Sequence, residues 1–300
     1  MKNEIVKYEN DLNGYDFSNF RAVDLDLFML ICSKVKEHQS EVLRFSFGEL
    51  KKAVNLTRKT DREFLKKLNR MAAEVKKLGG SHTEEDEQFF EFNLFEDFYG
   101  TIIDVTADNE NTRTAFLMYG KVPKNTLIVS VNPRYAFLLN EMKHYTKFDL
   151  IEFIQLESKY SKNLYRLLKQ YRSTGKYRVD AELFRTQMGC PKSYPNKEFM
   201  RVCVNVAVKE LSRGYFDNLT VTPIHGAGRG KPIVSYEFTF KKSKEIAGQQ
   251  NLSDYIDQDT QKAERPKRKG KNTNNRFKNF QQREITPEII AALEQADRNQ

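Results

Sequence analysis

Several features that mark common classes of protein are missing from this chain of 300 residues. It has no tryptophan, and its three cysteines and four histidines lie far apart, without the spacing of a disulfide framework or a zinc site. Its sequence contains no GxGxxG, GxxxxGK[ST] or GxSxG motif. We therefore expect no metal, no cofactor and no enzymatic activity.

Long apolar runs are also missing. No window reaches the ~18–20 uninterrupted apolar residues of a membrane span, and the first residues lack the apolar stretch of a secretory signal. The chain does have 22 Phe and 14 Tyr within an apolar fraction of 39%, which is enough for folded cores. We expect a cytoplasmic protein that contacts no membrane. Its length favours two domains and a tail, because typical domains have ~100–150 residues.

The charge is uneven along the chain. The chain has 50 Lys and Arg and 41 Asp and Glu, a net charge of +9, and residues 141–241 alone carry 18 basic and 10 acidic groups. Residues 44–77 hold 11 basic and 4 acidic groups, whereas residues 79–112 hold ten acids and no Lys or Arg. These segments predict basic surfaces for a polyanion and an acidic surface for a protein partner.

The last part of the sequence is typical of a flexible basic tail. Residues 262–283 have nine basic groups and one acid among many Asn and Gln. Thr286 and Pro287 are placed as N-cap and first residue of a short helix over about 284–297. We expect disorder over 242–300, apart from this helix, which could dock on another protein.

One order of elements is predicted twice. The first series has a helix over 23–36, a strand over 42–47, a short helix over 48–54, a longer helix opened by a capping box at Thr60, and strands within 90–131, including 115–118. The second has one or two helices over 151–171, a strand over 176–179, a short helix capped by Asp180, a longer helix capped by Asn196, and a hairpin over 219–240. Helix, strand, short helix, long helix, hairpin is the order of a winged helix.

The predicted fold class is therefore α+β, with tandem winged-helix domains, a helix-turn-helix variant. We expect an N-terminal arm over 1–19, a first winged helix over 20–140, a second over 141–241 and the basic tail over 242–300. The first would supply dimerisation and auxiliary DNA contacts, and the second would be the main DNA reader.

The candidate DNA-reading residues lie on the long helix of the second series. Lys197, Arg201 and Asn205 recur every four residues on its polar side, and their side chains can bond guanine and adenine edges. Lys192 and Ser193 precede this helix and are expected near phosphates. A solvated helix face is the alternative for this stripe.

Two further basic clusters are candidates for phosphate contact. Arg229 and Lys231 lie among glycines in the turn of the second hairpin. Around the start of the first long helix the cluster consists of Arg58, Lys59, Arg62, Lys66 and Arg70. Asp61 and Glu63 are interleaved there, which favours phosphate contact over base reading. The alternatives are an ordinary flexible loop and a surface balanced by helix ion pairs.

Residues 158–169 (SKYSKNLYRLLK), Tyr177-Arg178-Val179, Phe199-Met200-Arg201 and Ala207 to Leu211 resemble the second winged helix of the iteron-binding, theta-type plasmid replication initiators. Residues 24–29, with the basic long helix that follows, look like their first winged helix. The resemblance covers about residues 20–241. Val202 departs from it, because members often have arginine there.

The resemblance implies a bacterial, plasmid-associated protein that binds direct repeats in double-stranded DNA at a replication origin and controls copy number. It implies that monomers initiate replication, that dimers in exchange with them repress their own gene, and that host replication proteins are partners. Two alternatives are a rolling-circle nicking initiator, whose paired histidines are missing here, and a pure winged-helix transcriptional regulator.

Overall fold

The structure is a computed structural model that describes residues 4–35, 42–78, 81–83, 88–90, 94–139, 144–227 and 230–242. The predicted tail beyond residue 242, with its terminal helix, lies outside the described residues, as does Arg229. No helix in the described ranges is both long and apolar enough to span a bilayer.

The first winged helix contains the predicted elements in the predicted order. Thr60 and Glu63 form the expected capping box, in which each side chain bonds the backbone N–H of the other residue at 3.3 and 3.0 Å. The element bounds are α1 Ala22–Val35, β2 Leu43–Ser46, α2 Phe47–Ala53, α3 Asp61–Val75, β5 Phe95–Thr101 and β6 Thr126–Val131. A short hairpin, β3 Ser81–Thr83 and β4 Gln88–Phe90, lies between α3 and β5.

The second winged helix repeats this order. Asp180 caps its short helix, because its carboxylate accepts from the N–H groups of Glu182 and Leu183 at 2.9 and 3.2 Å. Its elements are α6 Lys159–Gln170, β8 Lys176–Asp180, α7 Ala181–Gln187, a long helix α8 over residues 196–211, β9 Thr220–His225 and β10 Ile233–Thr239.

The two sheets have the same strand order. In the first, β6 lies between β2 and β5, and in the second, β10 lies between β8 and β9, with all pairs antiparallel. In each sheet the strand before the short helix pairs with the second strand of the hairpin. This hairpin is the wing. The tandem winged-helix prediction is confirmed by this repeated topology.

One segment differs from its predicted conformation. Residues 115–118, predicted as a strand, belong to helix α4, Arg113–Tyr119, within a long insertion between β5 and β6. A small separate core of Val105, Ala115, Val122 and Ile128 holds this insertion. Arg44 donates to the carbonyl oxygen of Tyr119 at 2.7 Å and so binds the end of α4. Ala115 packs into this small core, whereas Leu117 and Met118 are exposed. An apolar run of four residues was too short to separate the two conformations.

The residues predicted as an arm contribute to the body of the protein. Strand β1, Ile5–Glu9, pairs with β7, Tyr145–Asp149, and a 3-10 turn, Asn10–Gly14, follows it. Helix α5, Leu150–Gln155, continues from β7. Val6, Tyr8 and Leu12 are buried in the main core. The proposed division of the chain at residue 140 stays a prediction.

One continuous core runs through both winged helices. It includes Leu68 of α3, Phe148 of β7, Leu164 of α6 and Leu211 of α8, each almost fully buried. Helix α6 is deeply enclosed, because all its residues from Ser161 to Lys169 are buried.

Candidate nucleic-acid interface

Helix α8 has one buried side and one exposed side. The buried side consists of Phe199, Cys203, Val204, Ala207 and Leu211, and Phe199 packs edge-on against Phe184 of α7 with ring centroids 5.6 Å apart. The other side exposes the predicted stripe of Lys197, Arg201 and Asn205, and Lys209 extends it by one more step of four residues. The predicted polar face is therefore free of intramolecular packing.

The middle of α8 is a π-helix over Phe199–Val204, between α-helical segments Asn196–Glu198 and Asn205–Leu211. A π-helix bonds each N–H five residues back and has more residues per turn than the 3.6 of an α-helix. Side chains four residues apart therefore align more closely here than on a regular α-helix. The π segment helps to keep Lys197, Arg201 and Asn205 in one line.

Arg201 is already engaged by a neighbour on its own helix. Its Nη2 donates to Glu198 Oε1 at 2.5 Å and its Nε donates to Oε2 at 3.3 Å. This hydrogen bond, together with the carboxylate charge, raises the pKa of Arg201. Since 68% of the arginine side chain is exposed, the guanidinium can exchange Glu198 for another acceptor.

The start of α8 corrects one sequence prediction. Pro195, not Asn196, occupies the N-cap position, and no side-chain hydrogen bond caps the helix there. The Asn196 oxygen instead accepts from Arg185 of α7 at 3.3 Å, so it joins the two helices of the helix-turn-helix. Lys192 and Ser193 are both exposed in the turn between these helices, as predicted for groups that could meet phosphates.

The turn before α8 also requires glycine at one position. Gly189 has a φ of +64°, and a Cβ there would lie 2.8 Å from the Cα of Ser18. The N-terminal segment thus packs directly against the backbone of the helix-turn-helix turn.

The wing of the second winged helix exposes Lys231, whose φ is +42°. The turn is closed by the Gly226 N–H donating to the Pro232 oxygen at 2.9 Å, and His225 Nδ1 lies 2.6 Å from the Lys231 oxygen. A Cβ on Gly226 would meet Val234 at 2.7 Å. These contacts hold the base of the turn next to the exposed Lys231.

Helix α3 is the counterpart of α8 in the first winged helix. Arg58, Lys59, Arg62 and Lys66 are all exposed at or near its start. Lys59 lies 3.5 Å from Glu63, and Lys51 lies 2.6 Å from Asp61, so both interleaved acids have cationic partners. Arg62 and Lys66 then continue along the helix with the same four-residue spacing that α8 shows.

The basic surface of α3 ends in a shallow cleft against the start of α1. Arg21, Val23 and Asp24 line one side, and Lys66, Lys67 and Arg70 line the other. Asp24 is buried and pairs with Arg70. The remaining cations give the cleft a positive balance, which suits an anionic group such as a phosphate.

The chain that carries these two helices matches known family models along most of its length. The model of "Initiator Replication protein, WH1" matches residues 5–169, and that of "Initiator Rep protein, WH2" matches residues 181–240. The chain belongs to the initiator replication protein family. The predicted family resemblance is confirmed.

Two relatives show how far the similarity extends. A "Probable replication protein rep" of Bifidobacterium longum (strain NCC 2705) is 35% identical over 195 residues, which are 64% of this chain and 59% of that protein. The structure of the Pi initiator protein in complex with iteron DNA is similar with a TM-score of 0.55 and 14% identity, over 82% of this chain and all of that one. The second similarity concerns the fold alone.

Sequence reasoning missed a set of buried polar residues on α6 in this family member. Lys162, Asn163, Arg166 and Lys169 are at most 5% exposed, although all lie in the segment that carries the family resemblance. Their spacing of three and four residues puts them on one side of α6, and in a sequence such a polar stripe is typical of a solvated face. Because the helix is buried from Ser161 to Lys169, these side chains instead make internal hydrogen bonds.

Proposed function

We propose that this protein initiates plasmid replication by binding direct repeats in double-stranded DNA without catalysing a reaction. The observation that carries the proposal is the duplicated geometry of α3 and α8. Each is the long helix of a winged helix, and each exposes cationic side chains every four residues. Membership of the initiator replication family supports the same function.

In this proposal α8 reads bases and α3 contacts phosphates. Arg201 can bond the O6 and N7 acceptors of guanine, and Asn205 can bond adenine. Lys192, Ser193, Lys231 and Arg229 would contact the backbone beside the reading helix. Arg58, Lys59, Arg62 and Lys66 would contact it from the first winged helix, because their surface is cationic and has no unpaired acid among the interleaved residues.

The experiment selects duplexes from a random library with the wild-type protein and measures binding of variants to the selected site and to random DNA. Arg201→Ala should weaken binding to the selected site by about 1–3 kcal/mol and relax its sequence preference. Arg113→Ala, which removes an exposed arginine from α4, is the control and should retain that preference.

Equal loss of Arg201→Ala on selected and random DNA would contradict base reading by this residue. Initiation is tested separately, by asking whether the gene and the selected repeats support replication of a plasmid with no other origin. Failure of replication despite specific binding would favour a transcriptional regulator over an initiator.

We also propose that the protein associates as a dimer in exchange with monomers, represses its own gene in the dimeric form and contacts host replication proteins. The first winged helix offers a surface for self-association. Leu117 and Met118 on α4 are 77% and 59% exposed, and Ile103 in the same insertion is 47% exposed. Large exposed apolar side chains grouped in this way are typical of protein contact sites.

A further inference from the structure

Lys162 is a lysine whose ammonium group is enclosed by protein. Its side chain is 1% exposed, and its Nζ donates to Asp26 Oδ1 at 2.6 Å, to the Phe153 oxygen at 2.7 Å and to the Ile154 oxygen at 3.3 Å. An ammonium has three N–H donors, so all of them have acceptors here. The Nζ also lies 4.9 Å from the centre of the Phe153 ring.

The three acceptors come from two different parts of the molecule. Asp26 lies on α1, the first helix of the first winged helix. The Phe153 and Ile154 oxygens lie at the end of α5, which leads into α6. Lys162 therefore bonds the first winged helix to the segment from which the second winged helix begins.

Helix α6 is firmly attached to the second winged helix. It packs against residues 205–211 of α8, and Asn163 donates to the Met188 oxygen at the end of α7 at 3.2 Å. The Glu210 carboxylate of α8 accepts from the N–H of Glu157, just before α6, at 2.7 Å. A displacement of α6 would therefore displace the reading helix with it.

A buried ion pair of this kind is a weak source of stability. Desolvation of both charges offsets most of their attraction, and apolar replacements of similar volume are often neutral or stabilising. The strength of desolvation is visible in Asp26, because burial raises the pKa of its carboxyl to about 6 even though the Lys162 charge opposes the shift. Such a pair instead constrains geometry. All three N–H groups of a buried ammonium are bonded only when its acceptors keep one arrangement around it.

We propose that the Lys162–Asp26 pair is a positioning contact that sets the orientation of the first winged helix on the core it shares with the second, so that α3 and α8 engage one DNA repeat together. This inference rests on the proposed function of both helices in DNA binding. It makes Lys162 and Asp26 residues that act on DNA recognition from inside the protein, without touching DNA.

The chain offers a matched control. Lys169, also on α6, is buried, and its Nζ lies 2.9 Å from the Glu152 carboxylate of α5 and 4.7 Å from the centre of the Tyr165 ring. This is also a lysine–carboxylate pair, with a more exposed acid, and it joins α6 to α5 with no bond to α1. Its loss should affect stability without changing the orientation of the first winged helix.

The experiment uses the full chain and a duplex selected in vitro by the wild-type protein. Hydroxyl-radical footprints and affinities are measured for the whole selected site and for a shortened site that keeps only the part protected by the second winged helix. Lys162→Met and Asp26→Asn should each lower affinity for the whole site at least tenfold and lose the protection due to α3. Affinity for the shortened site should stay within twofold of wild type, and Lys169→Met should keep the full footprint.

The double variant Asp26→Leu with Lys162→Met separates positioning from stability. It removes both charges, so it should unfold at a urea concentration near that of wild type and still show the shortened footprint. A full footprint with wild-type affinity in this variant, or in Asp26→Asn if Lys162→Met does not fold, would overturn the positioning role. Failure of the wild type to select any duplex would instead overturn the proposed function on which the inference rests.

Discussion

At the scale of single residues, cations of the candidate site already have carboxylate acceptors within the protein, and DNA would have to compete with them. Arg201 has Glu198 as its acceptor in the absence of DNA. If Arg201 reads a base, as proposed, the base edge has to displace that carboxylate. Glu198 would then lower the affinity most for DNA sites that engage Arg201.

Glu198→Gln should therefore raise the affinity for DNA. Exposed ion pairs are worth about 0.2–1 kcal/mol, so we expect a gain of about twofold to fivefold at low salt, measured by fluorescence anisotropy with selected and random duplexes. The gain should be larger on the selected duplex, where Arg201 must leave Glu198, than on random DNA, so that specificity rises. Glu182→Gln, which removes an exposed acid from α7, serves as the control and should have a smaller effect.

A double-mutant cycle with Arg201→Ala shows whether the two residues act together. If Glu198 acts by holding Arg201, its substitution should have little effect in the Arg201→Ala background. An equal gain in both backgrounds would mean that Glu198 acts only by repelling phosphates.

At the scale of elements, what the sequence could predict depended on how local the signal was. The Thr60 capping box and the Asp180 cap were correct because the residues that form them are adjacent in the chain. The second wing was correct because the alternation of Val234, Tyr236, Phe238 and Phe240 continued over enough residues. Helix α4 was predicted wrongly as a strand, because an apolar run of four residues is too short to show which period it follows.

In the candidate site too, local features followed from the sequence and long-range contacts did not. The stripe on α8 followed from spacing alone, whereas the π segment beneath it left no sequence signal that we could use. The pairing of β1 with β7 and the bonds from α6 to α1 join residues more than 130 positions apart. Contacts of that range depend on the tertiary fold and cannot be read from periodicity.

Helix α4 carries a test of self-association. Leu117→Ser should raise the dimer dissociation constant at least tenfold, because burial of a leucine side chain is worth about 1.5–3 kcal/mol. Sedimentation equilibrium over a range of protein concentrations measures this constant. Leu183→Ser on α7 replaces a leucine that is 44% exposed in the second winged helix and should leave it unchanged. A wild-type protein that stays monomeric at all concentrations, or equal effects of the two substitutions, would contradict the role of α4.

At the scale of the whole molecule, the two winged helices share one core and one set of internal polar contacts. Arg166 of α6 is fully buried, donates to Asn13 at 3.0 Å and lies 4.3 Å from the centre of the Phe17 ring. Asn13 in turn donates to Thr146 at 2.9 Å. The N-terminal residues therefore bind α6 and β7 at once, and neither winged helix can lose its structure without exposing part of the core of the other.

We therefore expect the two winged helices to unfold together. Calorimetry should give a single transition whose calorimetric and van't Hoff enthalpies agree, and hydrogen exchange of α1 and α8 should reach the same limiting free energy. Leu68→Ala in α3 and Leu211→Ala in α8 each remove a buried leucine, at a cost of about 2–5 kcal/mol. Both should lower this one transition without splitting it. Two separate transitions, each shifted only by the substitution in its own winged helix, would show that the shared core does not couple the two winged helices. The contacts of α6 would then have to orient two independently stable domains.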